Sequence, residues 1–143
     1  MKSRSPTAPL CSLATALLVA SCGTAAPARV TIDTPAEGDT VRGSAVHVTL
    51  ATSGVELAPA AEERAGTAHH HLFLDVDPGP LDREIPAGVT GIIHLGRAQT
   101  EFHWDSVAPG THRIIAVLGD WRHVPLASAA TDTVRFVVTA ARP

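Results

Sequence analysis

Seven short segments from Ala28 onward carry apolar residues at alternating positions, and turn-forming residues separate them. Alternation with a period of two, together with β-branched residues as in "ARVTID" and "AVHVTLAT", is typical of strands with one buried face. Pro and Gly in connections such as "PGPLD" and "APG" end such strands. No helical period interrupts the series. The predicted strands are residues 28–33, 45–52, 69–77, 90–96, 100–107, 111–120 and 132–140.

This pattern predicts an all-β fold, namely a single immunoglobulin-like antiparallel β-sandwich of about seven strands. A chain of 143 residues has the length of one ordinary domain. Aromatic residues make up only 3% of it, so Val, Ile, Leu and Ala must build most of the core. The expected core residues include Leu74, Val76, Phe102, Trp104, Ile114 and Val138.

The N-terminal segment is typical of an export signal, because Lys2 and Arg4 precede a short apolar run over residues 10–20. This run is too short to span a bilayer, which needs about 20 apolar residues. It ends in "VASCG", which resembles a bacterial lipobox with Cys22 as the lipidated residue. Cys11 lies within the signal, so an unlipidated Cys22 would be a free thiol in an oxidising compartment, which is uncommon.

We therefore expect a lipoprotein signal peptide over residues 1–21, the lipidated cysteine and a short tether over 22–28, and a histidine-rich domain over 29–143. The lipid would hold the protein on a membrane of the bacterial cell envelope without crossing it. Gly23 after the cysteine favours the outer membrane. The alternative is a soluble secreted protein cleaved near Ser21.

Composition and motifs exclude several function classes. The net charge is −3 and no run of Lys or Arg forms a basic stripe, so nucleic acid is not an expected partner. No G-x-S-x-G elbow and no Gly-rich phosphate-binding loop occurs. Enzymatic activity would therefore require a metal ion.

Three consecutive histidines begin the segment "HHHLFLDVD", residues 69–77. On a pleated strand His69 and His71 lie on one face, about 6.5–7 Å apart, whereas His70 shares the opposite face with Leu72. His-x-His on a strand is the spacing by which enzymes resembling carbonic anhydrase hold zinc. Imidazole ligands favour copper or zinc over magnesium.

Further ligands must come from other predicted strands, and His94 and His103 are the preferred ones, with His112 and His123 as other candidates. The predicted metal ligands are His69, His71, His94 and His103. Metal-bound histidines usually donate their second ring N–H to an acceptor. The candidates for such orienting groups are Asp75, Asp120 and His123.

The segments "HHHLFLDVD", "IPAGVTGIIHLGRAQTE", "APGTHRIIAVLGD" and "HVP" resemble the successive signatures of a family of secreted bacterial domains of unknown function, number 4399. The resemblance covers roughly residues 29–140. It implies a single periplasmic or surface β-domain with no established activity. In that family a further histidine often follows "HVP", where this chain has Leu126.

Two functional interpretations remain open at this point. The first is a lipid-anchored binding or interaction module of the cell envelope, whose loops would bind an envelope protein, a glycan or a metal ion. The second is a metal-dependent enzyme or metal carrier that uses the histidines. Histidines that merely hydrogen-bond to carbonyl groups at strand ends would support neither.

The polar segment 53–68 is either a solvated connection or a flap over the histidines.

Overall fold

The computed structural model describes residues 26–126 and 131–141, so the predicted signal peptide and Cys22 lie outside the described residues. All seven predicted strands are present, and two short strands, β2 and β4, accompany them. The strands are β1 (Arg29–Thr34), β2 (Thr40–Arg42), β3 (Val46–Ser53), β4 (Glu56–Leu57), β5 (Thr67–Leu74), β6 (Ile92–Leu95), β7 (Glu101–Trp104), β8 (Gly110–Gly119) and β9 (Thr131–Thr139). No helix in the described part of the chain is long and apolar enough to cross a bilayer.

The strands form two sheets. The three-stranded sheet has the order β1-β3-β7, and the six-stranded sheet has the order β2-β9-β8-β5-β4, with β6 also paired to β5. All pairings are antiparallel except those of β2 with β9 and of β4 with β5. The separation of β3 and β7 from β5, β8 and β9 is that of an immunoglobulin-like sandwich. The predicted fold class is therefore confirmed.

The core lies between the two sheets because each long strand turns alternate apolar residues inward. β3 contributes Val46, Val48 and Leu50, and β9 contributes Phe136 and Val138. Of the expected core residues, Ile114 and Val138 are buried. Leu74, Phe102 and Trp104 are partly buried against the same core.

Val76 departs from its predicted position, because it packs against a second apolar cluster instead of the main core. β5 ends at Leu74, and Asp75 has a positive φ of 58°. This conformation breaks the strand alternation, so residues beyond Asp75 no longer follow the face assignment of β5.

The second cluster lies on the outer face of the six-stranded sheet. Phe73, Ile115 and Val117 lie under Ile85, which belongs to the connection between β5 and β6. The backbone N–H of Ile85 donates to the carbonyl oxygen of His123 at 2.9 Å. The β5–β6 and β8–β9 connections are therefore tied together over this face, next to the histidines described below.

Segment 53–68 is a structured connection at the sheet edge. It contains β4 and one turn of 3₁₀-helix, Ala60–Glu62, and the N–H of Ala60 donates to the carbonyl oxygen of Gly96 at 3.0 Å. Segment 53–68 does not line the cavity beside the histidines. Residues 84–88, in the connection between β5 and β6, line that cavity instead.

Candidate metal centre

Four histidines converge on the outer face of the six-stranded sheet. His69 and His71 project from β5, and His94 on β6 lies directly opposite His71 in the strand register. His123 comes from the connection after β8. One ring nitrogen from each of the four lies within 4.8 Å of the others. The Nε2 atoms of His94 and His123 are 3.2 Å apart.

The turn after β8 places His123 in this cluster. The Asp120 carboxylate accepts the backbone N–H groups of Arg122 (2.8 Å) and Val124 (3.0 Å). The His123 N–H donates to the Asp120 carbonyl oxygen at 2.8 Å. His123 itself has a φ of 63°, which is uncommon for a residue other than glycine. The turn thus holds His123 in a strained conformation of the kind found at functional sites.

Two glycines make room for the imidazole rings. A methyl group at Gly96 would lie 2.2 Å from the His94 ring, and one at Gly119 would lie 3.0 Å from the His71 ring. Both contacts are closer than side-chain carbon atoms normally approach. Glycine at these two positions is therefore a signal of the site that sequence reasoning missed.

His69 and His71, the two cluster histidines on β5, are buried, and one nitrogen of each ring makes no hydrogen bond to the described residues. His69 and His71 are each only 1% exposed. Within residues 26–126 and 131–141, Nε2 of His69 and Nδ1 of His71 have no hydrogen-bond partner. A buried polar atom left unpaired costs about 1–3 kcal/mol, so native structures seldom retain one without a reason.

The same environment keeps these imidazoles neutral. Burial and the neighbouring His94 and His123 lower the pKa of His69 to about 4. Burial and the neighbouring His69 and His94 lower the pKa of His71 to about 2. The pKa of His94 is also lowered, by burial and by His123. A neutral imidazole is the form that ligates metals.

Asp120 supplies a negative charge beside the cluster. Burial opposes its ionisation, but hydrogen bonds from the Val124 and Arg122 N–H groups and the Arg122 side chain lower its pKa overall. The resulting carboxylate acts on His69 by raising the pKa of that ring, against the larger effect of burial. A cation bound among the four rings would feel the same attraction.

The cluster is open on one side. His71, His94 and His123 line a cavity of about 290 Å³, together with residues 84–88 and Ile92. His69 is not among the lining residues and lies behind the other three. The centre is therefore reached from solvent across the face that His71, His94 and His123 share.

Three of the four predicted ligands, His69, His71 and His94, are brought together. His103 is not, because β7 belongs to the three-stranded sheet, where His103 pairs with His47 of β3. His123 lies in the cluster in its place, and its Nε2 is also within hydrogen-bond distance of the His94 ring, as expected of a group that orients another histidine. A turn residue carries no strand periodicity, so the sequence offered only weak support for His123.

The two predicted carboxylates fall in different places. Asp120 lies near the cluster, but its oxygens bind the turn and Arg122 instead of a histidine ring. Asp75 follows the far end of β5, roughly 20 Å along the strand from His69. There it accepts hydrogen bonds from the His112 ring at 2.7 Å and the Arg113 N–H at 2.8 Å. Asp75 is thus no part of this centre.

His70 has the structural role that its face assignment predicts. Its ring lies on the inner side of β5, where Nδ1 is 2.9 Å from the Gln99 carbonyl oxygen and Nε2 is 2.7 Å from Thr52 Oγ1. Both ring nitrogens are satisfied, and Thr52 belongs to the opposite sheet. His70 therefore links the two sheets, whereas its neighbours His69 and His71 keep free nitrogens on the outer face.

Solved structures that are similar to the chain are β-domains of low sequence identity. Fibronectin(III)-like modules of Clostridium thermocellum CbhA have 18% identity and a TM-score of 0.48, over 79% of this chain and 99% of the module. The PKD domain of human KIAA0319 has 16% identity and a TM-score of 0.41, over 85% of this chain and 91% of that domain. No curated protein sequence matches significantly. The model of the family described as "Domain of unknown function (DUF4399)" matches residues 48–139, and the chain therefore belongs to this family.

Proposed function

We propose that this protein is a metal-binding module of the bacterial cell envelope, in which His69, His71, His94 and His123 hold one copper or zinc ion. The observation that carries the proposal is the pair of buried ring nitrogens, on His69 and His71, that have no hydrogen-bond partner in the described part of the chain. A metal ion bound by these two atoms would give each of them a partner.

The donor set fits such an ion. Zinc bound tetrahedrally at about 2.0–2.1 Å places neighbouring ligand nitrogens about 3.3 Å apart. The His94 and His123 nitrogens, at 3.2 Å, already have this spacing. Purely imidazole ligation suits zinc and copper, whereas magnesium prefers oxygen. His69, His71 and His94 need not lose protons before binding, since burial and neighbouring histidines lower their pKa values.

We expect metal binding to persist at lower pH than at an ordinary histidine site. Four histidines of pKa 6.5 would lose affinity by a factor on the order of 10⁴ at pH 5.5, about tenfold for each ring. His69 and His71, with pKa values of about 4 and about 2, stay neutral there. The expected loss is therefore at least about 100-fold smaller than that factor, measured by competition with a chromophoric chelator from pH 7.5 to 5.5. A loss near 10⁴-fold would show that these two rings protonate normally.

A metal-dependent enzyme or a metal carrier is the second candidate function. The cavity next to His71, His94 and His123 favours it, because an ion there could exchange or accept a small ligand from solvent. An open coordination position would appear as a change in the visible spectrum of the cobalt-substituted protein on adding azide. An unchanged spectrum would favour a closed, structural site.

We also propose that the domain is anchored by lipid at Cys22, with the outer membrane as its location. The proposal rests on the lipobox-like "VASCG" and on Gly23 after the cysteine. Cys22→Ser should move most of the protein out of the membrane fraction or leave it as an unprocessed precursor. Fractionation with an antibody against the domain measures this, with Cys11→Ser as the matched control. Retention of processed Cys22→Ser protein in the membrane fraction would contradict lipid anchoring.

A further inference from the structure

A second group of metal-ligating side chains lies on the opposite outer face of the sandwich. His47 of β3 and His103 of β7 are directly paired in the register of the three-stranded sheet. Their rings stack with centroids 3.9 Å apart and planes inclined by only 2°. Glu101 shares the strand face of His103, and its Oε2 lies 3.2 Å from Nε2 of His47. One donor atom from each of the three lies within 4.8 Å of the others.

This group differs from the buried centre in its access to solvent. The side chains of His47 and Glu101 are 41% and 65% exposed. A polar contact so exposed contributes little to stability, so the fold does not depend on it. The backbone positions of the three residues are nevertheless fixed relative to one another, because β3 and β7 are hydrogen-bonded strands. The stacked, parallel rings must turn about their side-chain bonds to direct their in-plane lone pairs at one ion. A cation there would keep water in its remaining coordination positions.

The ligand types define the class of ion. Two imidazoles and one carboxylate form a donor set that binds zinc and other divalent first-row transition ions. Glu101 would supply a negatively charged ligand. In the four-histidine centre the negative charge comes from Asp120, whose oxygens bind the turn and Arg122 instead of facing the ion. The two groups share no residue, and they lie on opposite outer faces of the sandwich, with both sheets and the core between them.

We propose that His47, Glu101 and His103 form a second, exchangeable site for a divalent transition-metal ion, independent of the four-histidine centre. Its ion is expected to bind more weakly than the buried one, since fewer protein ligands hold it and water competes for every position. The site would let the outer face of the three-stranded sheet acquire or release a metal ion without opening the buried centre.

Zinc stoichiometry tests the proposal on the purified protein without a polyhistidine tag. Equilibrium dialysis against zinc should give two ions per wild-type chain and one for His47→Ala/His103→Ala, with the tighter ion retained. His69→Ala/His71→Ala should show the reciprocal loss, keeping the weaker ion. Unchanged zinc content in His47→Ala/His103→Ala would overturn the second site and leave the four-histidine proposal intact.

Quenching of tryptophan fluorescence shows where the more weakly bound ion lies. Trp104 adjoins His103 in sequence, and Trp121 lies in the turn that carries His123. In a Trp121→Phe background, Cu²⁺ should therefore quench Trp104, and the quenching should require His47 and His103. Glu101→Gln should weaken the quenching titration by about tenfold or more while the far-UV spectrum stays unchanged. An equal titration in Glu101→Gln would exclude the three-ligand site.

Discussion

Replacing His69 and His71 by alanine should lower the affinity of the buried centre for zinc or copper by more than about 100-fold. Changes to groups that only orient a metal ligand cost 10–100-fold, and this variant removes two direct ligands. Isothermal titration of the metal-free protein measures the loss. His112→Gln is the matched control, because His112 lies outside both histidine groups and pairs with Asp75. Unchanged high-affinity binding would exclude His69 and His71 as ligands.

The same variant has a readout that does not depend on metal. In the metal-free wild type, the folded pKa of His69 is about 4 and that of His71 about 2, below the unfolded value of 6.5. The unfolded chain therefore takes up protons below pH 6.5 before the folded one does, so stability falls as pH drops through this window. His69→Ala/His71→Ala should lose less stability between pH 7 and pH 5 than the wild type, in urea denaturation at both pH values. An equal loss would show that the two rings are not kept neutral by the fold.

Phe73→Ala should lower the free energy of unfolding by about 3–5 kcal/mol, the usual cost of removing a fully buried aromatic ring. Phe73 is 0% exposed and lies in the outer cluster with Ile85, Ile115 and Val117. Urea denaturation followed by circular dichroism measures the change. Leu81→Ala is the control, because Leu81 is 45% exposed in the same connection and its truncation should cost less than about 0.5 kcal/mol.

A loss below about 1 kcal/mol in Phe73→Ala would mean that the outer cluster does not hold the β5–β6 connection in place.

This connection also reaches the metal centre through the hydrogen bond between Ile85 and His123. Zinc bound at the centre should therefore recover part of the lost stability, because a ligand that binds only the folded state shifts the unfolding equilibrium.

The sequence by itself determined the all-β class, the presence of the seven predicted strands and the face on which each histidine of β5 lies. These follow from the two-residue period of a pleated strand, which is a local property. His69, His70 and His71 are adjacent in the chain, yet His70 binds Thr52 and Gln99 inside the sandwich while the other two face outward. Alternation alone predicted this division.

Only the tertiary structure decided which distant histidines join His69 and His71. His94 and His103 have similar strand patterns, but the pairing of β6 with β5 and of β7 with β3 sends them to opposite outer faces. His123 reaches the centre through a turn held by Asp120, where no periodic pattern applies. Strand order and turn geometry depend on contacts between residues far apart in the chain, and the local pattern of apolar and polar residues does not specify them.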